Sequence, residues 1–80
     1  MVKIIIEHSG TEEFNDLAQK LQTLLQFEHD CETEQMIGDS TEDLKLHWQP
    51  EENNDLVYLA SMRSMPSKIA LEQYIKFGTE

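Results

Sequence analysis

Residues 28–37 read Glu28-His29-Asp30-Cys31-Glu32-Thr33-Glu34-Gln35-Met36-Ile37, and their interpretation decides the fold. The run lacks the three- and four-residue apolar spacing of a helix, and its strict alternation predicts a β-strand. On that strand Glu28, Asp30, Glu32 and Glu34 share one face, about 6.6–6.8 Å apart at the usual rise. His29, Cys31, Thr33, Gln35 and Ile37 take the other face. That second face is only weakly apolar, so the strand belongs at a sheet edge, where charges also discourage edge-to-edge pairing.

Working outward, residues 2–7 hold three consecutive isoleucines, Ile4 to Ile6, and predict a strand buried on both faces. Ser9-Gly10-Thr11 breaks it. Ser9 with Glu12 makes a capping-box pattern, with Thr11 as the alternative cap. Phe14, Leu17, Ala18, Leu21, Leu24 and Leu25 then recur at helical spacing over Thr11–Phe27. Glu12, Glu13 and Asp16 crowd its first turn, where the helix dipole favours anions. Downstream, residues 38–41 form a turn, and Leu44, Leu46 and Trp48 alternate with Lys45, His47 and Gln49 as a half-buried strand. After a polar loop at 50–54, Leu56–Ala60 is apolar on both faces and predicts a central strand. Short links make the last three strands an antiparallel meander. Pro66 suits the first turn of a closing helix and Gly78 a position past its end. Its stripe is Ile69, Ala70, Tyr74 and Phe77, with Leu71 and Ile75 flanking.

The order β-α-β-β-β-α predicts one α+β domain over residues 1–80, a two-layer sandwich of a four-stranded mixed sheet covered by two helices. The first helix should join parallel strands by a crossover. This order resembles a thioredoxin-type core without its middle helix. The link from Ile37 to Asp43 is too short for that helix, and no Cys-x-x-Cys is present, so that reading fails.

Charge narrows the function. Residues 28–55 hold ten acids against the single base Lys45, a local −9 within a total of −10. Residues 61–80, by contrast, carry a charge of +1. Such a chain is disfavoured as a direct ligand of nucleic acid or anionic lipid, because both require cations. It is not compositionally disordered, since hydrophobic residues make up 39% and are periodic. One cysteine excludes an internal disulfide and fits a reducing compartment. Residues 2–6 are too short for a membrane span or a signal core, so a cytoplasmic protein with no membrane partner is expected.

No residue pattern carries catalysis. His29-x-Cys31 is half of a zinc pair without its second half, and Cys31 reads as a small buried apolar residue. Neighbouring carboxylates should raise the Cys31 thiol, the wrong direction for a nucleophile. Asp39 to Asp43 lacks the order and glycine of a calcium loop. His8 to Thr11 precedes a helix but lacks a phosphate loop's lysine and spaced glycines. Trp48, Tyr58, Tyr74 and the methionines read as core, with Trp48 a contact candidate if exposed.

The expectation is therefore a non-enzymatic binding protein without metal or cofactor. It would engage a protein with a basic surface through Glu28, Asp30, Glu32 and Glu34, flanked by Glu42, Asp43, Glu51 and Glu52. Alternate carboxylates are similar in scale to the phosphates of a nucleic-acid strand. Lys and Arg side chains that hold phosphates could hold them likewise. The most specific form is an inhibitor, encoded by a phage or mobile element, that occupies a host or defence protein's nucleic-acid site. The alternatives are a structural or regulatory subunit with an apolar interface, and a small metal-binding module or enzyme.

Overall fold

The computed structural model describes residues 3–38, 42–50 and 55–79, with side chains described as far as residue 76. It is an α+β fold of a four-stranded mixed sheet and two helices in the order β-α-β-β-β-α. The strands are β1 (Lys3–His8), β2 (Glu32–Ile37), β3 (Leu44–Gln49) and β4 (Val57–Met62); the helices are α1 (Glu12–His29) and α2 (Lys68–Thr79).

The sheet order is β2-β1-β3-β4. β1 pairs parallel with β2, opposing Ile4 to Thr33, and antiparallel with β3, opposing Ile4 to Trp48. As expected, Ile4, Ile5 and Ile6 of β1 are all buried and β2 lies at an edge; the central place of β1 is a finding of the structure. The expected meander is corrected. Only β3 and β4 form an antiparallel hairpin, because β3 docks on β1 rather than on β2. β1 supplies three isoleucines as a docking surface, whereas β2 offers alternating acids. β4 is likewise an edge strand and mostly exposed, not central.

Both helices cover one sheet face. Ile4, Ile6, Leu44 and Leu46 of the sheet meet Leu17, Ala18, Leu21 and Leu25 of α1 and Leu71 of α2 in one core. Full burial of each such leucine or isoleucine contributes about 1.5–3 kcal/mol before entropy is charged against it. β2 has little apolar side chain to offer this core, and amides from α1 make up the difference. Gln26 Nε2 donates to Thr33 Oγ1 at 3.0 Å, and Gln35 Nε2 donates to Gln22 Oε1 at 3.0 Å. Fully buried His8 completes the network. Its Nδ1 accepts the Gly10 N–H at 3.1 Å, so the proton sits on Nε2 and is donated to Gln35 Oε1 at 3.0 Å. This neutral histidine ties β1, β2 and α1 together, which is a structural use.

The helix ends differ from the sequence reading. Thr11, not Ser9, caps α1, its hydroxyl accepting the Phe14 N–H at 3.3 Å. α1 runs on to His29 and is closed by Asp30 in the left-handed region at φ 53°. Ser67 caps α2, accepting the Ala70 N–H at 3.1 Å, so Pro66 lies before the cap rather than in the first turn. On α2 the buried residue is Leu71, with Tyr74 and Ile75 half-buried, while Ile69 is 69% exposed. Gly78 lies within the last turn of α2. The Phe77 side chain, Val2, and the turn at 39–41 fall outside the described residues.

Candidate interaction surface

The helices leave the opposite sheet face uncovered. Strand alternation and register place Lys3, Ile5 and Glu7 of β1 on it, with Glu32, Glu34 and Met36 of β2 and Lys45, His47 and Gln49 of β3. Tyr58 opposes His47 across a register shift at Leu46/His47 and so joins the same face. An ion pair and a hydrogen bond tie part of this surface together. Lys3 Nζ lies 3.3 Å from Glu34 Oε1, and His47 Nε2 lies 3.1 Å from Glu7 Oε1. The His47 and Tyr58 rings meet edge-on at 6.0 Å. Among these charges Met36 is 40% and Tyr58 56% exposed. Ile5, on the same face, is only 5% exposed.

The expected acidic row is not one row. Glu28 lies in the last turn of α1 and Asp30 at its cap, and only Glu32 and Glu34 lie on the strand. The α1 C-terminus overrides the alternation, because Leu25 is fully buried and its carbonyl accepts both the Asp30 and the Cys31 N–H. Glu28, Asp30 and Glu32 therefore gather at the corner where β2 begins. All three are exposed, and none is ion-paired among the described residues.

Glu42 and Asp43 are at the other end of the sheet. Glu32 is level with Lys3, whereas Asp43 precedes Leu44, which lies beyond the Glu7–Lys45 pair. Counting about 3.3 Å per residue, roughly 20 Å along the strands separates the two sets. Asp43 accepts from Arg63 Nε at 2.5 Å, and this hydrogen bond, with the charges of Asp43, Glu42 and Glu13, holds the guanidinium in its charged form. That acidic end is thus partly neutralised from within. Glu51 and Glu52 lie outside the described residues.

The rival sites do not assemble. Cys31 Sγ reaches the His29 carbonyl at 3.5 Å rather than its ring. Burial pushes the Cys31 thiol up, and Asp30 adds to the rise. The sequence pointed to the carboxylate, but desolvation is the larger cause. Among the described residues no group of three or more His, Cys, Asp or Glu could hold a metal ion. Trp48 is half-buried on the helix-covered face, away from the acids. Tyr58 and Met36 are the contact residues the sequence reading assigned to the core. Alternation within β2 already put Met36 beside Glu34, whereas Tyr58 faces out because of the register shift, which local sequence does not display. Among the described residues no helix is long and apolar enough to cross a membrane.

No protein-family model, curated protein or solved structure matches the chain.

Proposed function

We propose that this is a small acidic, non-enzymatic binding protein that occupies a basic surface of a partner protein. The interface is the acidic corner of Glu28, Asp30 and Glu32 together with the adjoining open sheet face, which includes Glu34. One observation carries the reading: two of the three corner acids, Glu28 and Asp30, sit where folding disfavours them. Glu28 and Asp30 stand at the C-terminus of α1, the negative end of the helix dipole. An acid there costs about 0.3–1 kcal/mol. Asp30 also takes a left-handed backbone conformation that glycine adopts without strain. Charges that oppose folding and lack an internal partner are accounted for when a partner supplies the cations.

A nucleic-acid-binding protein offers the required basic surface, and the narrower form of the proposal is an inhibitor of such a protein, encoded by a phage or mobile element. Glu32 and Glu34 alone keep the phosphate-like spacing on the strand. Glu42 and Asp43 are left to a larger partner that spans the sheet.

The test uses immobilised protein, in its parent form and with Glu28, Asp30, Glu32 and Glu34 changed to Gln. A partner retained by the parent should elute with moderate salt and with added duplex nucleic acid, and should be lost from the fourfold variant. A Glu72→Gln control should retain it. Equal retention by all three forms removes the acidic surface from the interaction and favours an apolar interface.

A further inference from the structure

The open face holds a shallow cavity of about 310 Å³ lined by Ile5, Glu34, Gln35, Met36, Gln49 and Leu56. Its make-up is two-part. Ile5, Met36 and Leu56 give it apolar surface, and Met36 and Leu56 remain partly exposed at 40% and 37%. Glu34 supplies a carboxylate and Gln49 an amide. The Glu34 side chain is 60% exposed even with Lys3 beside it, which leaves room for a second donor.

We infer that this cavity receives one arginine side chain of the partner, its methylenes on Met36 and Leu56 above buried Ile5 and its guanidinium on Glu34. The inference rests on the basic-partner reading above and names the group that reading would engage on the open face. Arginine suits the cavity better than lysine for two reasons. Its guanidinium is planar and binds a carboxylate through two parallel hydrogen bonds. It is also less strongly hydrated than an ammonium, so it enters a half-apolar recess more readily. A long cationic side chain lays its stem on apolar surface while its head stays at the polar rim. Lys3, approaching from the same face, already meets Glu34 in this charge pairing. A larger cleft of about 520 Å³ lies on the helix layer along Asp16, Gln19, Lys20, Thr23, Leu24 and Met65. Nothing in the structure indicates what covers that cleft.

The experiment titrates the full chain with a peptide of nine arginines and, separately, of nine lysines at equal ionic strength, read by methyl NMR and calorimetry. The arginine peptide should shift the Met36, Ile5 and Leu56 methyl signals and bind more tightly than the lysine peptide. Glu34→Gln should weaken the arginine peptide about tenfold. Met36→Gln, which changes no charge at an exposed edge-strand position, should weaken it about fivefold and leave the lysine peptide unaffected. Amide spectra establish that both variants keep the fold. Equal binding of the two peptides with silent methyl signals overturns the arginine cavity. If that binding is lost on neutralising Glu28, Asp30 and Glu32, the broader acidic-surface reading stands without it. Failure of both peptides to bind overturns both.

Discussion

The two ends of α1 carry the same kind of residue with opposite energetic effect. At the N-terminus, Glu12 and Glu13 follow the Thr11 cap and meet the positive end of the helix dipole, where acids stabilise. At the C-terminus, Glu28 and Asp30 meet the negative end, and Asp30 also holds a left-handed backbone. His29 is the basic residue of that last turn, but its Nε2 is buried without a hydrogen-bond partner among the described residues. The first end explains itself through folding and the second does not. Acidity alone therefore says little about function; acidity placed against the local field is the informative part.

Three measurements can break or sharpen this comparison. The largest effect belongs to the stripe that holds both ends in place. Leu21 is fully buried, and Leu21→Ala should cost about 2–5 kcal/mol in urea unfolding. A loss under about half a kcal/mol would mean that α1 is not anchored by this face, and the contrast between its ends would lose its frame. Next, Asp30→Gly removes the backbone strain and an acid at the negative helix end together. It should stabilise the fold by about 1 kcal/mol while weakening partner binding. A destabilised variant would show that the Asp30 side chain serves folding. The smallest effect is a pair of opposite signs. Glu12→Gln should destabilise and Glu28→Gln stabilise, each by about 0.3–1 kcal/mol at low salt, and both differences should shrink as salt screens them. Shifts of the same sign would remove the dipole as the cause.

Much of the fold was legible in the chain. The 3.6-residue stripe of α1 was plain because Leu17, Leu21 and Leu25 recur at helical spacing within a single segment. The isoleucines of β1 announced a strand buried on both faces, and the acids of β2 announced an edge. The candidate surface was legible only in part. Glu32 and Glu34 share a face as expected, yet Glu28 and Asp30 belong to a helix end, because burial of Leu25 extended α1 past the point where alternation began. Aspartate tolerates the left-handed region, so Asp30 could close the helix where no glycine marked its end.

By itself, then, the sequence determined the order of the elements, the apolar stripe of α1, the burial of β1 on both faces and the strongly negative charge. Each of these is a local period or a count. The tertiary structure alone decided that β3 docks on β1, that β4 is an edge, that Leu71 rather than Ile69 faces the core, and that Tyr58 stands with Glu34 and Met36 on an open face. It also parted the acids between two ends of the sheet. Those outcomes depend on which distant segments bury the most apolar surface together. That competition is non-local, and no window along the chain contains it.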